Sequence, residues 1–250
     1  TGTYPHEARI GHMTNPPKDP KGHNYGFPQY QGKLNSNVIT IAEALGEVGY
    51  STLMSGKWHL SFFDKSQWPL QRGFEYFYGF IAGAGNFFKP EAPRFIFEGN
   101  EKLNIEDENY YTTDAFTDKA IEYIDKVKSE NSEKPFFLYL SYNAPHWPLQ
   151  APKENIDKYR GNYMKGWEKL REERYKRMIE MGLIDSSWDL SYDDIVSWDS
   201  LSKEKREEMD LRMAIYAAMI DRMDQNIGRL INNLKTKELY DNTIIMFLND

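Results

Sequence analysis

The sequence predicts an α/β protein with a mixed or mostly parallel central sheet flanked by helices. Three observations carry this. Short apolar runs alternate with segments of helical period, the chain between them is punctuated by Gly, Pro and Asn, and the residues with catalytic chemistry fall at or just after strand ends. At 250 residues and 40% hydrophobic content, the chain is long enough to bury one large core.

Residues 38–48 read as a helix, with Ile41, Ala44, Leu45 and Val48 on one face and Gly49 suited to its C-terminal end. A short strand at 50–54 leads into Gly56-Lys57-Trp58-His59-Leu60. Residues 74–80, an aromatic run marked by Gly73 and Gly79, read as a short core strand or a loop lining a site, with core packing preferred. Residues 114–128 form a helix with Thr112 or Thr113 as N-cap and a buried stripe of Phe116, Ala120, Tyr123, Ile124 and Val127. The apolar strand at 135–142 then runs directly into a turn in which prolines bracket His146-Trp147.

Residues 155–208 are dense in charge and tryptophan, and Arg171, Glu172, Glu173, Arg174, Lys176 and Arg177 mark a solvated helix. This segment reads as a charged helical excursion from one domain. The longest helical pattern covers 203–235, where Met213, Tyr216, Ala217, Ile220, Met223, Asp224, Ile227 and Leu230 recur at three and four. Asp221 and Asp224 on it read as surface or structural partners and not as metal ligands. Residues 243–248 are β-branched and apolar, a predicted strand that ends at Asn249-Asp250.

Composition narrows the function. A net charge of −7 leaves no basic surplus to displace counterions, which excludes a nucleic-acid backbone as partner. No apolar run approaches the roughly 20 residues that cross a bilayer. With no cysteine the segment holds no disulfide, which does not decide its compartment.

Lys57 and His59 stand two apart, so in extended backbone they face the same way, a fixed cation beside a proton carrier, as an oxyanion substrate requires. Alone, the pair also reads as a solvated lysine beside a structural histidine, and the turn at His146 as a rigid surface turn. Their occurrence together favours a site. Asp250, a carboxylate at a strand end, is placed to hold a hard cation through oxygen.

Five stretches occur in a telling order: TGTYPH at 1–6, SGKWHL at 55–60, PFFLYLSYNAPHWPLQAP at 135–152, YAAMIDRMDQNIGRL at 216–230 and DNTIIMFLND at 241–250. With them the chain resembles the formylglycine-dependent sulfatases, in particular the arylsulfatase-like branch. The resemblance implies an alkaline-phosphatase-like sandwich in which residues 1–250 form part of one catalytic domain. It implies a sulfuric ester hydrolase acting on a small-molecule or glycan sulfate ester, with Ca²⁺ as metal and a location that is periplasmic or extracellular. By the same resemblance Lys57 binds a sulfate oxygen and steadies the nucleophile, and His59 is the base that releases sulfate. His146 contacts the sulfate and protonates the leaving group, and Asp250 is a calcium ligand.

In the family, the formylglycine arises from a Cys or Ser in a signature that ends just before Thr1-Gly2. The resemblance therefore implies an internal fragment, without the N-terminal strand and C-terminal subdomain and inactive when isolated. Two departures touch local backbone shape and no chemical group. Ser61 follows Leu60 where relatives commonly place Gly, and Asn249 precedes Asp250 where Ser or Thr is common. The alternatives are a phosphodiesterase or phosphonate hydrolase of the same superfamily, which shares fold and metal chemistry, and a non-catalytic anion-binding module.

Overall fold

The computed structural model describes residues 1–13, 25–192 and 194–248, and Asp250 lies outside them. Two compact units emerge: Thr1–Pro148 with Met223–Asp250, and Leu149–Arg222.

The first unit is organised by β1 (Ser51–Lys57), whose two edges are both occupied. β2 (Tyr76–Phe80) pairs with it in parallel on one side and β5 (Phe136–Ser141) in parallel on the other. β3 (Ile96–Glu98) and β4 (Glu101–Lys102) extend the sheet antiparallel beyond β2, giving the order β4-β3-β2-β1-β5. The sheet is mixed, with a parallel heart.

Successive strand residues point to opposite faces, and the core divides accordingly. Leu53, Tyr78, Phe80 and Ile96 face α2 (Thr112–Glu130), meeting Phe116, Tyr123, Ile124 and Val127. The predicted stripe of that helix is thus the buried one, and Leu234 joins the same cluster. Met54, Phe77 and Phe97 point the other way, into a cluster with Ala8, Leu34, Val38, Ala42, Trp58 and Phe74. Within the aromatic run at 74–80, Tyr76–Phe80 form a core strand and Phe74 packs in the same core, in line with the preferred reading. Helix and sheet are also pinned by polar groups: the buried Ser55 hydroxyl donates to the Phe116 carbonyl at 2.7 Å, and the Tyr142 and Thr117 hydroxyls are bonded at 2.6 Å. Burial pushes the Tyr142 phenol up to about 12 despite the Thr117 hydrogen bond.

Expectations for four segments need correction. α1 (Ile41–Glu47) starts three residues later than predicted, with Thr40 as N-cap and a reciprocal capping box to Glu43. Its predicted face is turned outward, since Ile41 and Val48 are exposed and Ala42 is buried. The orientation comes from polar anchors that periodicity does not register: the buried Arg72 donates to Glu43 at 2.8 Å, to Gln67 at 2.9 Å and to the Val38 carbonyl at 2.8 Å.

The N-cap of α2 is Tyr111, without a side-chain cap bond; Thr112 and Thr113 are its first helical residues. The Thr112 hydroxyl instead donates to the Asn143 side chain at 3.3 Å. On α5 (Lys203–Thr236) the buried positions include Ala214, Ala218, Met219, Asn226 and Leu234, whereas Met213, Tyr216 and Ile220 are exposed. The seam follows small residues and a hydrogen-bonding amide, Asn226 donating to Asp114 at 2.7 Å, instead of the greatest hydrophobicity. Residues 243–248 form no strand, and 244–248 stand exposed, Leu248 by 83%. A β-prone run becomes a strand only beside a partner edge, and this one pairs with none of the described strands.

The Arg72–Glu43 pair sets a pH dependence. Burial alone would raise the Glu43 carboxyl, but the Arg72 guanidinium and the Thr40 backbone N–H bring it below its ordinary value of 4.5. A depressed carboxylate contributes stability above its unfolded-state value, and that contribution is lost as pH falls through the folded one. Glu43→Gln should therefore cost about 1–3 kcal/mol at neutral pH by leaving the buried guanidinium short of its anion. The gap to the parent should narrow in acid below the unfolded-state value. Urea unfolding of both proteins at neutral and acid pH reads this, and a gap unchanged by acid would refute it.

In the second unit, carboxylate acceptors organise the loops. Asp210 on α5 accepts from the backbone N–H groups of Gly161 and Tyr163 at 2.8 and 3.0 Å. Asp221 accepts from Asn155 and Lys158 at 2.7 and 2.8 Å, a structural role as expected. α3 (Lys153–Asp157) is short, and α4 (Trp167–Glu180) buries none of its residues, matching its charge-rich sequence. Trp198 is buried edge-on to Trp167 at 5.0 Å, and a Cβ on Gly166 would lie 2.6 Å from it.

Candidate active site

The ends of β1 and β5 are brought together by the absence of side chains. Gly56 on β1 is in register with Gly79 on β2 and Ser141 on β5. A Cβ at Gly56 would lie 2.0 Å from the Ser141 carbonyl oxygen, and one at Gly79 would lie 1.8 Å from that of Gly56. Both have positive φ, so glycine is required on two counts. The Ser141 hydroxyl then donates to the Lys57 carbonyl at 2.8 Å, fixing the backbone that bears the lysine. Lys57 is the last residue of β1, and His146 follows β5, its parallel neighbour. Both therefore belong to the C-terminal edge of the sheet, where open α/β sheets bind ligands.

His59 reaches its position differently from the sequence expectation. Parallel pairing continues past β1, with the Trp58 N–H donating to Phe80 at 2.8 Å and that of His59 to Ile81 at 3.1 Å. His59 itself has φ of 60°, a left-handed conformation costing about 1–3 kcal/mol outside glycine. The two-residue alternation thus stops at Lys57. Trp58 anchors the turn, buried and donating its indole N–H to the Gln67 carbonyl at 2.9 Å. The His59 imidazole lies against the backbone of Gly83, where a Cβ would be 2.9 Å from Nε2 and 3.0 Å from Cε1. His59 is partly exposed, and backbone strain of this kind is commonly retained where a side chain must be held in one direction.

The turn carrying His146 is tied to α2. Asn143, 2% exposed, accepts from the Thr112 hydroxyl with its side chain, and its carbonyl accepts from the His146 N–H at 3.0 Å. Thr112 in turn donates its backbone N–H to Phe87 at 2.8 Å, so the loop that supports His59 through Gly83 is also attached to the segment that supports His146. The His146 Nδ1 lies 2.6 Å from the Trp147 carbonyl oxygen. A carbonyl only accepts, so Nδ1 carries hydrogen and Nε2 is the nitrogen offered to a ligand.

The structure thus brings Lys57 and His146 to one sheet edge, with His59 immediately beyond β1. It adds Gly83, Ser141 and Asn143 as supports the sequence reading did not single out; the glycine-rich stretch from Gly79 to Gly85 was the one available signal. Asp250, the proposed metal ligand, lies outside the described residues. Among the described residues no group of three or more His, Cys, Asp or Glu side chains is placed to hold a metal ion.

The sulfatase family model matches residues 1–250. The chain belongs to the sulfatase family. It is 36% identical to an uncharacterized sulfatase of Schizosaccharomyces pombe over 100% of this chain and 47% of that protein. It is 33% identical to an arylsulfatase of Klebsiella aerogenes over 90% of this chain and 49% of that one. The sulfatase chain therefore spans about half the length of these curated relatives. Among solved structures, Ps i-CgsB in complex with k-i-k-neocarrahexaose superposes with a TM-score of 0.60 at 24% identity, over 94% of this chain and 43% of that one. A likeness at that identity speaks for the fold, which is the alkaline-phosphatase-like α/β architecture of sulfatases.

Proposed function

We propose that the protein to which this chain belongs hydrolyses sulfate monoesters. The observation that carries this reading is the placement of Lys57 and His146 on one sheet edge, with the His146 Nδ1–H held by the Trp147 carbonyl. The family membership supports it, as does the arylsulfatase of Klebsiella aerogenes among the relatives.

Cleavage of the S–O bond needs positive charge at the nonbridging oxygens and a proton for the departing oxygen. The Lys57 ammonium supplies the charge. The His146 imidazolium donates the Nε2 proton to the bridging oxygen as the S–O bond breaks. It is left neutral with its hydrogen on Nδ1, the tautomer that the Trp147 carbonyl stabilises. His59 accepts a proton in the half-reaction that frees sulfate, its imidazole held over Gly83. In sulfatases a formylglycine supplies the oxygen nucleophile, and Lys57 with His59 has the chemistry to hold it: a cation and an imidazole beside the end of β1. Sulfatases also use a divalent cation, but the described residues do not supply its ligand set.

The charged segment at 155–208 is assigned to the same catalytic domain as an excursion. No described helix is long and apolar enough to cross a membrane. For the whole protein a periplasmic or extracellular location accords with this family.

The full-length protein should turn over 4-nitrophenyl sulfate with kcat/KM at least about 10²-fold above that for 4-nitrophenyl phosphate. The two esters share their leaving group, so steady-state kinetics on both isolates the transferred group. Preference for the phosphate would overturn the reading.

A further inference from the structure

The Trp147 side chain has no part in the chemistry above, yet it sits next to the proton donor. The residue is 67% exposed, an unusual position for the side chain with the largest apolar surface. The ring is roughly parallel to that of His146, with 27° between planes and 5.8 Å between centroids. Pro145 and Pro148 bracket the pair and restrict its backbone. A large aromatic ring held in the open on a restricted backbone loses little entropy when a ligand ring packs on it.

We propose that Trp147 is the platform for the leaving group, selecting sulfate esters whose oxygen is borne on a ring. The inference rests on the sulfatase reading and deepens it. An ester oxygen within hydrogen-bond reach of His146 Nε2 carries its ring directly. The indole centre is 5.8 Å from that of His146, so a ring on that oxygen is delivered beside the indole, and rings pack against an indole face at roughly 4.5–7 Å. An aromatic ring offers its π-face, and a pyranose offers an apolar C–H face of similar size. An open-chain alcohol offers neither.

The design of the turn makes this separable from acid catalysis. His146 is oriented by the carbonyl of Trp147, a backbone atom that every substitution at 147 retains. Removing the indole therefore leaves the proton donor its hydrogen-bond partner.

The test uses the full-length enzyme with Trp147→Ala and Trp147→Phe, on 4-nitrophenyl sulfate, galactosamine 4-sulfate, whose ester oxygen is on a ring carbon, and a short open-chain alkyl sulfate. Each variant is compared with the parent on the same ester, so differences in leaving-group basicity cancel. Trp147→Ala should lower kcat/KM for a ring-borne ester about 10-fold or more and change that for the alkyl ester by less than about 2-fold, with Trp147→Phe retaining most of the ring preference. A larger loss with the nitrophenyl ester assigns an aromatic leaving group, and a larger loss with the amino sugar assigns a pyranose.

Inhibition by the free alcohol of the preferred ester should weaken in parallel, while inhibition by inorganic sulfate stays unchanged. Equal losses on all three esters, or no loss on any, would overturn the platform while leaving the sulfatase reading intact. A parent enzyme inactive on every ester would overturn both.

Discussion

His146→Ala in the full-length enzyme should slow sulfate esters of poorly acidic alcohols about 10²–10⁴-fold, while costing far less with an activated aryl ester such as 4-nitrophenyl sulfate. An alkoxide leaves only if it is protonated as the S–O bond breaks, whereas a nitrophenoxide is stable enough to leave unaided. The assignment rests on a single bond direction. The Trp147 carbonyl can only accept, so Nδ1 of His146 is the donor there and Nε2 is the nitrogen free to serve the substrate. A plot of log kcat/KM against leaving-group pKa should be shallow for the parent and steep for the variant. Parallel plots, with good and poor leaving groups depressed equally, would remove His146 as the general acid and leave it a sulfate contact.

His59→Ala should fail at a different point. Its imidazole acts when sulfate is released, so the first cleavage should still occur, giving a rapid burst of alcohol stoichiometric with enzyme and then turnover reduced about 10²–10⁴-fold. Gly83→Ala should produce a milder version of the same phenotype. The imidazole would remain, but a methyl group 2.9 Å from Nε2 would displace it from the orientation that the strained backbone at His59 holds. Rapid-quench measurement of the alcohol released in the first turnover distinguishes the outcomes. A uniformly slow, burst-free His59→Ala enzyme would place His59 in the first step instead.

Local pattern made much of the scaffold legible. The stripe of α2, the span of α5 and the strands around residues 50–57, 76–80 and 136–141 follow from periodicity and apolar runs, because each of those signals is generated by burial against a neighbour already implied by the fold class. The errors share one cause. The outward turn of α1 depends on Arg72, more than twenty residues downstream; the seam of α5 depends on a bond from Asn226 to Asp114; and residues 243–248 have strand chemistry without a partner among the described strands. Each is settled by a group distant in sequence, which no local window contains.

The site divides along the same line. Lys57 and His146 were identifiable from the sequence because an ionisable residue at the end of an apolar strand, or between prolines, is a local pattern. That the two share one edge was decided by β1 and β5 becoming parallel neighbours, a pairing between residues some eighty positions apart. Likewise, the sequence named His59 but not its left-handed backbone, nor that the space for its ring exists because residue 83 is glycine. Residue types and their order determined which chemistry is available; only three-dimensional packing decided where each group points, because direction is fixed by contacts between segments and not by the segments themselves.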